Sequence, residues 1–322
     1  MKCFVTGGTG FIGVNLLETL AADPSYEPVV LVRQSSNTDH LPQSIETVTG
    51  DLSSPDFLDE VMADVDVVVH LAAIYGGYTG TLRDQLGVDW ERIKHINVDG
   101  TSALVDAADR HGVDRFVFFS TILAHPEFGR NLHEDYQRSK LKAERLFTET
   151  NHEFEYSILY PTFVIGPRDY RLNRFSHFQR VATNVVFAPP LYAPGAYNVV
   201  HVQDVVDSVV YCLDPEVNLD DRYVLSGENV STGKLYRHIG QLTDNRGLVV
   251  PMPFAVSKHV LPPVVNFLHE KDLFPAPGDQ FQTPTDGGTV PKRQTFRAPV
   301  EQRSTLETLA DAIEWYESVG LL

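Results

Sequence analysis

The opening of the chain constrains its fold more than any other stretch. Residues 2–6 are strand-like and run directly into Thr6-Gly7-Gly8-Thr9-Gly10-Phe11-Ile12-Gly13, after which an apolar helical pattern continues to Ala22. A strand that turns on glycines straight into a helix is the first half of a βαβ unit. Gly7 permits the tight turn, Gly10 lets backbone approach a pyrophosphate, and Gly13 allows helix and sheet to pack closely. The helix start adds unpaired N–H groups and the positive end of the dipole. Gly7, Thr9, Gly10, Phe11, Ile12 and Gly13 are therefore the expected cradle for a dinucleotide.

The pattern repeats. Residues 28–32, 46–49, 65–71, 115–120 and 156–160 read as further strands, several of them nearly continuous runs of Val, Ile, Leu and Phe. Such runs suit parallel strands covered on both faces. Helical stretches at 13–22, 98–111 and 134–150 alternate with them. The alternation predicts an α/β fold, a Rossmann-type doubly wound parallel sheet with a smaller C-terminal substrate-binding lobe. After Tyr160 prolines break the chain, and 162–196 reads as loops with one short helix near 175–182. A strand at 198–202 and a helix from Asp204 follow, then a helical stretch at 255–274 and an irregular segment at 275–299. Ser304-x-x-Glu307 opens the last helix with a capping box. The expected division is a dinucleotide-binding domain at 1–165, rejoined at about 197–226, with 166–196 and 227–322 forming the lobe.

Composition removes several classes of function. A net charge of −17 leaves no electrostatic footprint for nucleic acid or an anionic membrane. Cys3 and Cys212 are the only cysteines and belong to no Cys/His cluster, so neither a disulfide framework nor a metal site is encoded. The longest apolar stretch, 65–74, is too short to span a bilayer. The strand-like opening leaves no room for a leader, and a cytoplasmic protein with reduced thiols is expected.

Arg33 lies just past the second strand, where an NAD-preferring site places a carboxylate on the ribose 2′-OH. A cation there, beside Gln34, Ser35 and Ser36, suits a 2′-phosphate, so NADP is the preferred cofactor and NAD the alternative. Asp51-Leu52 ends the third strand region, where Asp51 accepts from an adenine amino group or caps the helix near Pro55. Leu71-Ala72-Ala73 ends the fourth strand with small residues that let backbone lie against a cofactor. His70 before them reads as a packed strand-end histidine rather than a catalyst.

Tyr136 and Lys140 stand four residues apart on a predicted helix, hence on one face. An ammonium there favours the phenolate and lowers the tyrosine pKa from about 10. A phenol so tuned gives a proton to a carbonyl oxygen as hydride arrives, or takes one in reverse. Ser120-Thr121, at the end of the fifth strand, offers a hydroxyl to the substrate oxygen. Asn97 reads either as the N-cap of the next helix or as a relay and positioning residue.

Together TGGTGFIG, GDL, HLAA, NVDGT, FVFFST, YQRSK, YPTFVIGPRD and VVHVQDVV resemble the extended short-chain dehydrogenase/reductase family, with the dihydroflavonol-reductase-like branch most similar. The motifs run in order from residue 6 to about residue 206. The resemblance implies a hydroxyl–Tyr–Lys triad of Thr121, with Ser120 as neighbour, Tyr136 and Lys140. It further implies that Lys140 binds the nicotinamide ribose, that Pro161 lies with the cofactor contacts, and that two copies dimerise through helices 98–111 and 134–150. One departure is the spacing, since only fourteen residues separate Thr121 from Tyr136, fewer than nucleotide-sugar members carry. Another is Phe163, where those members carry Asn, and a third is Tyr197-Asn198-Val199, where they present Arg to a diphosphate. The first reading is reduction of a ketone or aldehyde, or oxidation of the alcohol. The runner-up is a nucleotide-sugar epimerase or dehydratase using bound NAD, and the third a non-catalytic dinucleotide-sensing regulator. An apolar pocket is expected around Phe178, Val181, Val185, Phe187, Leu191, Tyr192, Phe254, Val260 and Leu261.

Overall fold

The computed structural model describes residues 1–74, 89–128, 135–172, 195–243 and 299–322, with short pieces at 178, 191–192, 250–251, 253, 255–260, 263–264, 267, 271 and 290. Its centre is a seven-stranded sheet in which every neighbouring pair is parallel. The strands are β1 (Lys2–Thr6), β2 (Glu27–Val32), β3 (Glu46–Thr49), β4 (Val67–His70), β5 (Arg115–Phe119), β6 (Glu155–Pro161) and, after three short strands described below, β10 (Arg222–Leu225). Their spatial order is β10-β6-β5-β4-β1-β2-β3. The chain builds outward from β1 to β3 and then returns to the other side of β1 with β4. That reversal opens a crevice at the carboxyl ends of β1 and β4, the usual ligand position in such sheets.

Helices cover both faces. On one side α1 (Phe11–Ala22) packs beside α6 (Val202–Leu213), enclosing Leu16, Leu17, Val205 and Val209 against β1 and β2. On the other lie α2 (Pro55–Met62), α4 (Gly100–His111) and α5 (Asp135–Thr148), whose Leu58, Leu104 and Phe147 share one core with Phe116 and Phe118 of β5. Every residue of β4 and β5 is buried, as two covered faces require. The predicted central strands lie within two residues of the observed ones.

The C-terminal half holds elements that the sequence pattern does not announce. β7 (Phe163–Ile165), expected as loop, pairs with β9 (Ala196–His201), which also pairs with β11 (Glu228–Ser231). β8 (Leu191–Tyr192) pairs with β12 (Val250–Pro251). Against the β7–β9–β11 sheet, α7 (Thr232–Leu242) and α8 (Thr305–Ser318) close a third core of Leu235, Ile239, Leu309 and Tyr316. Apart from Phe178, the helix expected at 175–182 lies outside the described residues, as do half of 255–274 and most of 275–299. Among the described residues no helix is long and apolar enough to cross a membrane.

One irregularity bears on the crevice. A short helix, α3 (Trp90–Lys94), joins α4 through a π turn at His95–Asp99. Such wide turns redirect side chains that a regular helix would point elsewhere.

Candidate active site

The glycine loop sits at the crevice, between β1 and α1. Gly7 has φ +74°, and a Cβ there would lie 2.7 Å from the Ala72 nitrogen. A side chain at Gly13 would collide with the Gly7 carbonyl oxygen. These contacts hold the turn, the first helical turn and the end of β4 within backbone distance of one another. The α1 N-cap, Gly10, makes no side-chain cap, and the first turn carries no acidic residue. The helix start thus presents amides and a positive dipole end without a carboxylate of its own, which fits the pyrophosphate of a dinucleotide.

Behind the loop runs a chain of neutral hydrogen bonds centred on His70, which is fully buried. Thr101 Oγ1 donates to the Asn97 carbonyl at 2.8 Å, so its oxygen accepts from Nε2–H of His70 at 2.9 Å. Nδ1 then accepts from the Thr6 hydroxyl at 2.6 Å, and Thr6 Oγ1 accepts the Ala72 N–H at 3.2 Å. Burial, aided by the nearby Lys140 cation, pulls the His70 pKa down to about 3, so the ring is neutral. Asn97 continues the chain. Its Oδ1 accepts from Ile74 N at 2.8 Å, while Nδ2 donates to Ile74 O at 3.0 Å and to Ser139 Oγ at 2.9 Å. Ser139 Oγ donates in turn to the Tyr136 carbonyl at 2.7 Å. Asn97 is not the N-cap of α4, because the π turn carries it into the helical run and aims it across at the loop after β4.

Tyr136 and Lys140 lie on α5, one turn apart. The Lys140 amine is buried and donates to the Phe119 carbonyl at 2.6 Å, at the end of β5. Burial lowers its pKa from 10.5 to about 7, and the nearby Glu144 carboxylate opposes that fall. Gln137 Nε2 donates to Leu123 O at 2.7 Å, tying the start of α5 to the turn just after Thr121. The two strand-end hydroxyls are differently placed. Ser120 donates its proton to Glu144. Thr121 Oγ1 accepts a long hydrogen bond from Leu123 N at 3.4 Å, which leaves its own proton to be given elsewhere.

At the adenine end, Arg33 is exposed, with its N–H on Ser36 Oγ at 3.0 Å. Asp51 Oδ1 accepts from Ser53 N at 2.8 Å, and this bond lowers its carboxyl pKa. Asp51 does not cap α2. The N-cap is Ser54, and it makes no side-chain bond. The Leu52 side chain is buried in the core, whereas Leu71, Ala72, Ala73 and Pro161 are partly exposed.

The sequence from residue 3 to residue 225 matches the model of the NAD dependent epimerase/dehydratase family. The chain belongs to that family. Among curated relatives, this epimerase/dehydratase-family protein is 27% identical to a putative dihydroflavonol 4-reductase of Synechocystis sp., over 98% of the chain and 95% of the relative. It is 24% identical to sterol demethylase protein B of Methylococcus capsulatus over the whole of both. A crystal structure of UDP-glucose 4-epimerase from Thermotoga maritima, with UDP-glucose, is 18% identical and covers 99% of each chain with a TM-score of 0.71, a likeness of fold. The protein is accordingly an NAD(P)-dependent enzyme on a Rossmann-type fold.

Sequence reasoning missed a second polar layer beneath α5. Glu144 is buried and accepts from Ser120 on one oxygen and from Tyr160 Oη at 3.0 Å on the other. Arg222 Nε donates to Tyr160 Oη at 3.3 Å. The available signal was a carboxylate four residues past Lys140, beside Ala143 and Phe147 on the apolar stripe of the helix. Of the expected pocket residues, Phe178 is core, packed 5.1 Å from Tyr316 between ring centres, and Val260 is exposed. Val181, Val185, Phe187, Phe254 and Leu261 lie outside the described residues, as do the side chains of Leu191 and Tyr192.

Proposed function

We propose that this enzyme reduces a ketone or aldehyde, or oxidises the matching alcohol, with Tyr136 moving the proton at its phenolic oxygen. The carrying observation is the buried Lys140 amine, one turn from Tyr136 and fixed to the end of β5. A cation in that position favours the phenolate and tunes the tyrosine for acid–base work. Thr121 is the hydroxyl that meets the substrate oxygen, because the Ser120 proton is committed to Glu144. The nicotinamide cofactor, when bound, supplies or accepts the hydride. Gly7, Thr9, Gly10, Phe11, Ile12 and Gly13 would hold its pyrophosphate, Asp51, Leu52, Leu71, Ala72, Ala73 and Pro161 its flanks, and Lys140 its nicotinamide ribose. The exposed Arg33, with the Ser36 turn behind it, favours NADP.

The substrate in this reading is largely apolar. Phe163 stacks on Tyr197 with ring centres 4.7 Å apart, and Asn198 is occupied by Thr162, Gly227 and Asn229. Arg168 is turned to Asn15 and Glu18 of α1. The sterol in the name of one full-length relative points the same way. The reading also includes a cytoplasmic homodimer formed through α4 and α5, and a substrate lobe made of 166–196 and 227–322. The test is a screen of aryl and aliphatic ketones by NADPH consumption, alongside calorimetry with UDP- and dTDP-sugars. Ketone turnover is expected. Tight sugar binding without ketone turnover overturns the reading in favour of an epimerase or dehydratase.

A further inference from the structure

Glu144 takes no part in the proton transfer at Tyr136, yet it is a carboxylate buried in the core side of the catalytic helix. Its surroundings specify its charge state. Ser120 and Tyr160 both donate to it, one on each oxygen, and Tyr160 can donate because its own oxygen accepts from Arg222. An ionised carboxylate accepts both hydrogen bonds as they stand, whereas a neutral acid would require one hydroxyl to turn its proton away. Lys140 lies one turn earlier on the same helix, and the Glu144 charge favours its ammonium form. Among the described residues the other contacts of Lys140 are uncharged: its amine donates to the Phe119 carbonyl, and Nζ lies 4.9 Å from the centre of the Phe118 ring.

We propose that Glu144 is a positioning residue, an ionised buried carboxylate that serves as the counter-charge keeping the Lys140 ammonium charged beside Tyr136. The other groups facing this pair fit the assignment. His70 of β4 is neutral, and His125, whose ring meets Tyr160 edge-on at 4.7 Å, is held neutral by burial. Arg222 of β10 supports the carboxylate through Tyr160, and Glu127 acts on His125. Burial pushes Glu144 toward its neutral form, and the Ser120 and Tyr160 hydrogen bonds with the Arg222 and Lys140 charges push back. The pair therefore stands or falls together: protonating Glu144 removes the support for Lys140.

This proposal rests on the reading of Lys140 as the partner of Tyr136, but its test does not need turnover. Lysine labelled with carbon-13 at Cε is introduced into the full chain, the Lys140 resonance is assigned by Lys140→Met, and its titration midpoint is followed by NMR. Glu144→Gln is expected to lower that midpoint by about one pH unit or more. Because the amide introduced by Glu144→Gln brings buried donors of its own that can prevent folding, a second variant, Ser120→Ala with Glu144→Leu and Tyr160→Phe, removes the polar set together. It is expected to lower the midpoint in the same way. An unmoved midpoint in either folded variant overturns the proposal. Retained turnover in Tyr136→Phe, together with a lowered midpoint here, would instead reject the catalytic reading and leave the counter-charge standing.

Discussion

The helices that start at Phe11 and at Thr305 begin in opposite ways. At α8 the chain closes its own helix end. Ser304 Oγ accepts from Glu307 N at 3.3 Å, Glu307 reaches back to Ser304 N at 2.8 Å, and Glu228 takes the Thr305 N–H at 2.9 Å. At α1 a glycine stands at the cap, with no side-chain acceptor and no carboxylate in the first turn. The first arrangement saturates amides for stability, and the second leaves them to the dinucleotide phosphate that we propose binds there. Both helices bury an apolar side, but the start of α8 lies against its core whereas the start of α1 opens on the crevice at the ends of β1 and β4. Substitutions at the closed end should cost stability and spare chemistry, and those at the open end should do the reverse.

The largest effect is expected from Tyr136→Phe, which keeps the ring and removes the proton. Turnover should fall about a hundred- to ten-thousand-fold, with the melting temperature and cofactor affinity of the wild type. Wild-type rates on an accepted substrate would end the assignment.

Lys140→Met sharpens the contrast through pH. The folded-state pKa of Lys140, about 7, lies below its ordinary 10.5. Between those values the unfolded chain holds a proton that the folded chain has released. Stability should therefore rise with pH across that window, by up to about 1.4 kcal/mol per pH unit, and the cost of burying the ammonium is complete below it. The variant should lose this rise. Denaturant midpoints measured from neutral to alkaline pH decide the matter, and an identical slope in the two proteins would count against it.

Arg33→Asp comes next. The wild type should bind NADPH about ten- to a hundredfold more tightly than NADH, as a charge-assisted contact of roughly 1.5–3 kcal/mol implies, and the variant should reverse the order. Equal dissociation constants for the two cofactors in the wild type would return Arg33 to the solvated surface. The smallest effect belongs to the closed end. Ser304→Ala should cost about 1 kcal/mol of stability while turnover stays unchanged, and a kinetic defect there would break the comparison.

The legible parts of the molecule are those in which local pattern and tertiary role agree. β1, β4, β5 and the glycine loop could be read because apolar runs and glycine punctuation have few other uses. β10, Arg-Tyr-Val-Leu, lies beyond the alternating first half of the chain and becomes a strand by pairing with β6. α7 carries Gly233 and Gly240, which disfavour a helix, and is held by its Ser231 cap and by Leu235, Tyr236 and Ile239 in the third core. At the site, the spacing of Tyr136 and Lys140 was visible because both lie on one regular helix. The setting of Asn97 was not, since it depends on a π turn that no residue type encodes. Glu144 was hidden for a different reason: a helical carboxylate normally faces water, and only the packing of β5 and β6 beneath α5 makes this one a buried acceptor.

The line of hydrogen bonds through Thr6, His70, Thr101, Asn97 and Ser139 has a consequence for the conditions this enzyme can tolerate. Ion pairs on the surface of a chain with net charge −17 weaken as salt rises, because screening acts within about 10 Å at moderate ionic strength. The line joining the glycine loop to the Tyr136 helix contains no formal charge, and its one titratable member stays neutral down to about pH 3. Salt has nothing in it to screen. Brine or mild acid is therefore expected to loosen the protein's exterior while the glycine loop and the Tyr136 helix keep their mutual alignment.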